Sequence, residues 1–444
     1  MSREPASLRH AASWFLLILG LALAASADGA ETGGKSAKGT PKKTGPGVTP
    51  PIVVEPAPLV ETVKDLQVIG NGTPESVTEA ALAQAVSRGG FITFNTGGAP
   101  LKLRITKTLY LPVNTKPTVI DGRNLVTLDG GEKTQILKKA WKTELTVQRL
   151  KFINARAEKS GAAIEVENWD GRLSVIDCQF TNCKTTSPGP DIGGGAIRAT
   201  GQKHFLVSGC TFTDCAGSNG GALCSLGCQL TIVRCRFTNC TAFGTGGGAD
   251  RGSKGKGGIG GAVYMDGCSQ NADKPQLVVS DCLFLKSHAG DHGGAIFAFT
   301  YADSHSTSVF NACTFDGSTV AEPKDQGLGF AGAVYSQDCD LYVTNCTFSN
   351  NQAPKIGGAL FGATPRTVQI ANCEFYGNKG GMGDAKGCSL PGQAKVEQVS
   401  STRLPKSPAQ VYLGRMPGPP PEKESSRKVK QPKTGELDTP SGGR

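Results

Sequence analysis

The sequence predicts an all-β protein: a right-handed parallel β-helix solenoid with a short N-terminal capping helix and disordered termini. The first observation is a repeated phrase of the form apolar-x-x-Cys-x-Phe, found at Val175 to Phe180, Val207 to Phe212, Ile232 to Phe237, Val279 to Phe284, Phe310 to Phe315, Val343 to Phe348 and Ile370 to Phe375. The second is Gly-Gly-Ala with a branched apolar residue, found at Gly194 to Ile197, Gly220 to Leu223, Gly260 to Val263, Gly293 to Ile296 and Gly357 to Leu360. The two phrases alternate, and internal repetition outranks any local pattern.

The third observation is the period of the repeat. From Phe152 to Phe375 the repeated Phe recurs in seven steps over 223 residues, about 32 per step, which is typical of a solenoid. Cys and Phe are two positions apart, so on a strand they share one face, and their polar neighbours indicate that this face points inward. Stacked coils would place Phe on Phe about 4.8 Å apart.

Two other repeat folds fit less well. A leucine-rich horseshoe needs a consensus that is absent here, and each repeat shows strand-length runs without a ten-residue helical pattern. A β-propeller blade usually needs about forty residues or more. Parallel coils also account for the Gly pairs, because a tight corner before a strand needs positive φ angles that Gly adopts most easily.

Residues 1–27 have the form of a secretory signal peptide. Basic residues precede an apolar run from Trp14 to Ala25, and Ala25-Ser26-Ala27 fits a signal-peptidase site. The run is too short to span a bilayer. Residues 28–60 are rich in Gly, Lys, Thr and Pro and are predicted to be a disordered linker. We therefore expect a secreted, periplasmic or cell-surface protein without membrane insertion.

Residues 61–388 are assigned to the β-helix. Ala and Leu at helical spacing from Thr73 to Ser87 predict one short capping helix, which Arg88-Gly89-Gly90 would end. Short apolar runs separated by turn residues then predict strands without helices between them, at residues 91–94, 101–105, 118–120 and 125–128.

Residues 389–444 form a Pro- and Lys-rich tail that is predicted to be disordered. The net charge of the whole chain is +10, and this tail carries ten Lys or Arg against five acids. Basic character concentrated in a solvated tail is a weak indication of nucleic-acid binding. We expect no nucleic-acid partner.

The repeats resemble those of chlamydial polymorphic outer-membrane proteins over roughly residues 145–380. The resemblance rests on the Gly-Gly-Ala-Ile-like phrases and on Asn154, Asn182, Asn239 and Asn350, each two residues after a repeated Phe. It implies the fold of the pectin-lyase-like β-helix superfamily, whose opening coils residues 91–131 also resemble. That fold carries lyases, hydrolases, phage spikes and adhesins, so it implies no single function. The tail after residue 388 departs from the chlamydial family, and its outer-membrane anchoring is not carried over.

The chain has 15 Cys, and seven of them occupy the repeated position. Side chains stacked in parallel hold their Cβ atoms farther apart than the roughly 3.8 Å that a disulfide prefers. We expect mostly buried free thiols. Zinc binding is the alternative, but the Cys-x4-Cys spacing differs from the Cys-x2-Cys of zinc sites, so no metal is predicted.

Three long connections are predicted to leave the solenoid at one corner, on alternate coils: residues 184–193, 241–259 and 319–330. Insertions on one face of a solenoid often build its binding side, which makes this corner a candidate rim. Simple tolerance of insertions at the surface explains the pattern equally well.

An aromatic stripe is the candidate ligand-binding surface. Tyr264, Phe297, Tyr335 and Phe361 each follow the branched residue of a Gly-Gly-Ala phrase. If the branched residues point inward, the aromatic residues point outward, where they could stack on sugar rings or on a partner protein. If the strand has the opposite parity, the stripe belongs to the core.

The weak catalytic candidates are Asp250, Arg251, Asp291 and His292, which lie just before Gly-Gly-Ala phrases. Lyases of the resembled superfamily use acidic residues that hold Ca²⁺ and a basic residue that abstracts a proton. No carboxylate pair recurs in register here, so these four are more typical of solvated loops. No cofactor is expected, apart from Ca²⁺ if the protein is a lyase.

We expect a non-catalytic exported β-helix that binds a polysaccharide or a cell-surface partner. A pectate-lyase-like polysaccharide lyase or a glycoside hydrolase is one alternative, and a purely structural, adhesin-type surface protein is the other.

Overall fold

The computed structural model describes residues 54–61, 64–113, 116–140, 142–167, 171–247, 255–267, 276–300, 306–322, 328–363, 365, 367–381, 395–398 and 411–414. In these ranges the chain passes repeatedly through four parallel sheets in a fixed order, and each passage is one coil of a right-handed parallel β-helix. The predicted signal peptide, residues 1–27, lies outside the described ranges.

Sheet 1 has twelve strands, and neighbouring strands pair in parallel. They are β1 (Leu66–Ile69), β2 (Gly90–Phe94), β5 (Thr118–Asp121), β8 (Glu144–Gln148), β12 (Arg172–Ile176), β16 (His204–Ser208), β20 (Leu230–Val233), β24 (Leu277–Ser280), β28 (Thr307–Asn311), β32 (Asp340–Thr344), β36 (Thr367–Ala371) and β39 (Lys395–Gln398).

Sheet 2 has ten strands, which carry the repeated Phe. They are β3 (Leu101–Arg104), β6 (Val126–Asp129), β9 (Lys151–Ile153), β13 (Gln179–Thr181), β17 (Thr211–Thr213), β21 (Arg236–Thr238), β25 (Leu283–Leu285), β29 (Thr314–Asp316), β33 (Thr347–Ser349) and β37 (Glu374–Tyr376).

Sheet 3 has eight very short strands. They are β10 (Arg156–Ala157), β14 (Lys184–Thr185), β18 (Ala216–Gly217), β22 (Thr241–Ala242), β26 (His288–Ala289), β30 (Thr319–Val320), β34 (Gln352–Ala353) and β38 (Lys379–Gly380).

Sheet 4 has ten strands, most of which follow a Gly-Gly-Ala phrase. They are β4 (Leu109–Leu111), β7 (Leu137–Lys139), β11 (Ile164–Val166), β15 (Ile197–Thr200), β19 (Leu223–Leu226), β23 (Val263–Asp266), β27 (Ile296–Phe299), β31 (Val334–Gln337), β35 (Leu360–Ala363) and β40 (Val411–Gly414).

The predicted capping helix is present. A 3-10 turn at Pro74–Ser76 precedes helix α1 (Glu79–Arg88), which begins at Thr78, whose side chain accepts a hydrogen bond from the backbone N–H of Ala81. The helix ends at Gly89, which has a φ of 69°. The apolar face of α1 is part of the main core, so the helix covers the first coils.

The inward ladders form as predicted. Eight Phe rings stack along sheet 2, with centroids of neighbouring rings 4.6 to 5.0 Å apart and interplanar angles of at most 12°. Thirteen described Cys are buried and free, and the backbone N–H of Cys178 donates to Sγ of Cys210 on the next coil at 3.4 Å. The thiols therefore behave as small core side chains.

The Asn of the resemblance motif turns the chain from sheet 2 to sheet 3. Asn154 and Asn182 have φ angles of 52° and 54°, in the left-handed region that Asn tolerates better than most residues. Their side chains also form a ladder, since Nδ2 of Asn182 donates to Oδ1 of Asn154 at 2.8 Å. The Asn residues of the motif therefore form and stabilise the turn between the two sheets.

The Gly pairs form the corner before sheet 4, as predicted. Gly220 has a φ of 55°, and a Cβ at this position would lie 1.9 Å from the carbonyl oxygen of Leu223. The three long connections follow β14, β22 and β30 and precede the next strand of sheet 4, so they do leave at one corner.

Two predicted boundaries need correction. Strands β39 and β40 lie in the predicted disordered tail 389–444 and pair with β36 and β35. Residues 54–61, at the end of the predicted linker, are hydrogen-bonded to sheet 1. In both cases the unpaired strand edge or the outer face of the solenoid supplies partners that composition alone does not reveal. Among the described residues, no helix is long and apolar enough to cross a membrane.

Candidate functional site

One outward-facing column of sheet 4 changes character along the solenoid. In the first coils it holds Tyr110, Lys138, Glu165 and Arg198, each in register with the next on neighbouring strands. In the later coils it holds the predicted aromatic stripe and one further ring, namely Tyr264, Phe297, Tyr335, Phe361 and Tyr412. After Tyr110, the same position is thus charged in the first coils and aromatic in the later ones.

The aromatic stripe is buried, and the prediction that it is exposed is wrong. The branched residue before each ring points into the main core, so Tyr264, Phe297, Tyr335 and Phe361 face away from it. Each of the four is nevertheless at most 7% exposed. Their rings stack with centroids 5.1 to 5.4 Å apart. They form a second, outer apolar cluster.

The covering residues come from the links between sheet 3 and sheet 4. Ile259, Phe330 and Ile356 belong to the same outer cluster, and the Phe330 ring stacks on Phe361 at 4.9 Å. The long connections that were expected to build a binding rim therefore supply side chains that bury the stripe. Sequence parity alone could not show this, because the covering residues lie outside the repeated phrases.

The catalytic candidates do not form a catalytic arrangement in the described structure. Asp291 is fully buried and accepts a hydrogen bond from the backbone N–H of Leu328, so it fixes the link before β31. His292 Nδ1 lies 3.1 Å from Oδ2 of Asp291, and its ring packs against Phe297 and Tyr335. Both residues stabilise the outer cluster. Asp250 and Arg251 lie outside the described residues.

A cleft lies beside the polar end of the column. It has a volume of about 720 Å³ and is open to solvent at the corner between sheets 3 and 4. Its lining is almost entirely polar or charged and comprises Glu132, Lys133, Gln135, Lys138, Arg156, Ala157, Glu158, Lys159, Ser160, Glu165, Glu167 and Thr186. The cleft is therefore at the predicted corner, but on coils where the links are short.

Lys138 is the centre of the cleft floor. Its Nζ lies 2.9 Å from Oε1 of Glu167 and 3.3 Å from Oε2 of Glu165. Glu165 lies in β11 and Glu167 directly follows that strand, so the two carboxylates are two positions apart in extended backbone and share one face. Burial lowers the pKa of Lys138, but the hydrogen bond to Glu167 and the charges of both carboxylates outweigh it, so the pKa is raised above its ordinary value.

Glu165 is held from two further sides. Nε2 of Gln135 donates to Oε2 of Glu165 at 3.0 Å and also to the carbonyl oxygens of Ser160 and Gly161. On the next strand, Nη1 of Arg198 lies 3.8 Å from Oε1 of Glu165. These contacts fix the position of a nearly buried carboxylate at the edge of the cleft.

The wall that faces this floor is also hydrogen-bonded. Nη2 of Arg156 lies 3.6 Å from Oε2 of Glu132, and Nη1 donates to the carbonyl oxygen of Asn182 at 3.0 Å. Nδ2 of Asn182 donates to Oε1 of Glu132 at 3.0 Å. The turn ladder of sheet 2 and sheet 3 thus positions the charged wall.

The lining is balanced in charge and is flanked by an aromatic ring. It contains four Glu against three Lys and one Arg. Tyr110, in register with Lys138 on the preceding strand, is 51% exposed. Within the described ranges, no group of three or more His, Cys, Asp or Glu side chains is placed to hold a metal ion.

Sequence reasoning missed this site, although one signal for it exists. The phrase from Gly161 to Ile164 is a weak copy of Gly-Gly-Ala-Ile, so Glu165 occupies the same repeat position as Tyr264. A comparison of that position across all coils would have shown charged residues at one end of the column. Tyr110 and Lys138 precede the repeats and carry no such signal.

One comparison with known proteins, a family match, agrees with the fold. Residues 142–319 match the family described as right handed beta helix region, which is less than half of the chain. No curated protein sequence gives a significant match. The crystal structure of PfbA, a surface adhesin of Streptococcus pneumoniae, aligns over 69% of this chain and 88% of that chain, with 8% identity and a TM-score of 0.19.

Proposed function

We propose that this right-handed parallel β-helix is an exported protein that binds an uncharged polysaccharide in the cleft beside Lys138 and Glu165, without cleaving it. The observation that carries the proposal is the column in which an exposed Tyr110 lies next to fixed charged groups on a rigid sheet. The proposed export rests on the signal-peptide pattern of residues 1–27.

The chemistry of the cleft suits a sugar chain. Sugar hydroxyls both donate and accept hydrogen bonds, and the cleft offers carboxylate acceptors and ammonium or guanidinium donors side by side. The apolar faces of sugar rings pack on aromatic rings, and Tyr110 presents a half-exposed ring beside these groups. The volume of about 720 Å³ is within the range of ligand sites, so the cleft would hold a short stretch of polymer.

The balance of charge favours an uncharged ligand. Glu165 and Glu167 are both paired with Lys138, and Glu132 faces Arg156. A uronate polymer would bring further carboxylates to a lining that already holds four Glu, and the four basic side chains of the lining only balance those four charges. Like charges brought together in a partly buried site cost free energy.

The arrangement favours binding over catalysis. A general acid or base must be free to exchange a proton with the ligand, whereas Glu165 and Glu167 are both paired with the ammonium group of Lys138. A lyase needs a basic group free to abstract a proton, and Lys138 is engaged by both carboxylates. Polysaccharide cleavage is the alternative function, and the experiment described next also tests for it.

The experiment is a screen of the mature protein against a panel of neutral, acidic and amino-sugar polysaccharides. We expect binding to one or more neutral glycans, with an affinity that changes less than about threefold when the salt concentration rises tenfold, because no net charge is neutralised. We also expect no new reducing ends and no ultraviolet absorbance from unsaturated products, with or without Ca²⁺. Failure to bind any glycan would contradict the proposal and favour a structural surface role, and binding confined to acidic polymers would contradict the inference that the ligand is uncharged.

A further inference from the structure

The outer face of sheet 1 carries a short segment of the chain itself. The backbone N–H of Val60 donates to Oε1 of Gln148 at 2.9 Å, and Nε2 of Gln148 donates to the carbonyl oxygen of Val60 at 3.1 Å. The backbone N–H of Ala57 donates to Oγ of Ser208 at 3.0 Å. All three bonds use backbone atoms of residues 54–61. These bonds therefore recognise the backbone of the segment and do not depend on the side chains of Val60 or Ala57.

The two anchoring side chains are built into the sheet. Gln148 is fully buried and Ser208 is 1% exposed, although both face outward. Nε2 of Gln148 also donates to Oδ2 of Asp121 at 3.2 Å, and Nε of Arg149 donates to Oδ1 of Asp121 at 2.9 Å. Asp121 therefore fixes the orientation of the Gln148 amide, with its oxygen toward the Val60 N–H and its nitrogen toward the Val60 carbonyl.

The spacing of the anchors shows that the bound segment is extended. Gln148 lies on β8 and Ser208 on β16, two coils apart, which is about 9.6 Å at the usual distance between strands. The segment covers this distance in the three residue steps from Ala57 to Val60, or about 3.2 Å per residue. A polyproline II helix rises about 3.1 Å per residue and repeats every three residues.

The sequence of the segment matches this requirement. Pro56 and Pro58, which have no N–H, occupy the two positions adjacent to Ala57 and leave the anchoring N–H of Ala57 and Val60 intact. Ile176, on the strand between the two anchors, faces outward but is only 3% exposed, as expected beneath a bound segment.

We propose that the outer face of sheet 1, centred on Gln148 and Ser208, is a recognition site for an extended proline-containing peptide, and that residues 54–61 occupy it in cis. Because recognition uses backbone groups, the occupant can be exchanged for a peptide of the same conformation supplied in trans. The site is distinct from the cleft on sheet 4 and does not depend on the proposed glycan binding.

The test uses the full-length chain with Ala57→Pro and Val60→Pro together, which removes both anchoring N–H groups from the cis segment while leaving sheet 1 unchanged. A fluorescent peptide with the wild-type sequence of residues 54–61 is titrated into this variant and followed by anisotropy. We expect saturable binding to the variant and at least tenfold weaker binding to the wild-type protein, where the cis segment competes.

Three controls sharpen the result. Adding Ser208→Ala to the variant should weaken peptide binding about fivefold or more, whereas Ser174→Ala, on the neighbouring outward column, should not. A peptide of residues 54–61 in which Ala57 and Val60 are both replaced by Pro should not bind. Absence of wild-type peptide binding to a folded variant, or equal binding of the two peptides, would overturn the proposal.

A second measurement covers the case in which the double variant does not fold. In the wild-type protein, hydrogen exchange at the amides of Ala57 and Val60 should be slowed well beyond that of Glu55 and Glu61. Equal, fast exchange at all four amides would also overturn the proposal.

Discussion

Lys138 and Glu165 face each other from neighbouring strands of sheet 4, with Nζ of the lysine 3.3 Å from Oε2 of the glutamate. The pair lies at the point where the outward column begins to bury its side chains. The ion pair therefore contributes both to the stability of the sheet and to the charged lining of the cleft.

Removing the ammonium group should affect both properties. We expect Lys138→Met to lower the free energy of unfolding by about 1–2 kcal/mol, because Glu165 and Glu167 lose their shared partner. Urea unfolding measures the change, and Lys159→Met, an exposed lysine of the same cleft, should stay within about 0.5 kcal/mol of the wild type. A double-mutant cycle with Glu165→Gln should give a coupling of at least about 0.5 kcal/mol, and zero coupling would refute the pairing.

The Phe ladder should contribute strongly to the free energy of unfolding. Phe237 is fully buried between Phe212 and Phe284, with ring centroids 4.8 and 4.6 Å away. We expect Phe237→Ala to lower the free energy of unfolding by about 3–5 kcal/mol, since it leaves a cavity in the stack. Thr238→Ala, at the adjacent outward position, should cost less than about 1 kcal/mol, and similar losses for the two variants would contradict the inward ladder.

Lys139 is buried, and burial of its charged form lowers the stability of the fold. Its side chain points into the solenoid, where Nζ lies 3.3 Å from Oε1 of Gln202, and burial lowers its pKa to about 8. Between pH 8 and the ordinary value of about 10.4, the unfolded chain binds more protons than the folded one, so stability rises with pH. Below pH 8 the buried charge destabilises the fold.

Replacing this lysine should therefore stabilise the protein near neutral pH. We expect Lys139→Met, which has a similar volume, to raise the free energy of unfolding by about 2–3 kcal/mol at pH 7. Chemical denaturation at pH 7, 8, 9 and 10 should show the gap between variant and wild type narrowing as the pH rises. A gap that stays constant or widens would show that the lysine is not titrating in the core.

Asp121 should contribute to acid sensitivity. Burial raises its pKa, but hydrogen bonds from Arg149, from the backbone N–H of Arg123 and from Gln148 outweigh this, so the pKa lies below its ordinary value. The stability that it contributes is complete above the unfolded value of about 4 and is lost as the pH falls through the lower folded value. Asp121→Asn should cost about 1–3 kcal/mol at pH 7, and the cost should shrink below pH 4. A cost independent of pH would disprove the role of the charge.

The repeats made the inner part of the fold predictable. Phe212 and Cys210 recur at a fixed spacing, and a two-residue period on a strand determines which face they occupy. The outer surface was less predictable, because it depends on chain segments that do not repeat. The sequence left open whether Tyr264 is exposed or lies in the core; it faces away from the main core and is covered by links that include Ile259 and Phe330.

The candidate site depends on register rather than on a motif. Lys138 and Glu165 are 27 positions apart in the chain, and only the stacking of β7 on β11 brings them together. Residues 54–60 were expected to be the end of a disordered linker, because residues 28–60 as a whole are rich in Gly, Lys, Thr and Pro. Their hydrogen bonds to Gln148 and Ser208 come from the outer face of sheet 1, which composition does not describe.

The most direct test of the proposed glycan site compares two tyrosines of similar exposure. Tyr110 is 51% exposed beside Lys138, and Tyr376 is 54% exposed on sheet 2. We predict that Tyr110→Ala weakens binding of the glycan found in the screen about tenfold in calorimetric titration, the loss expected for one aromatic stacking contact. Tyr376→Ala should leave the affinity unchanged, and both variants should keep the wild-type stability. Unchanged affinity in Tyr110→Ala, or equal losses in the two variants, would contradict the placement of the site.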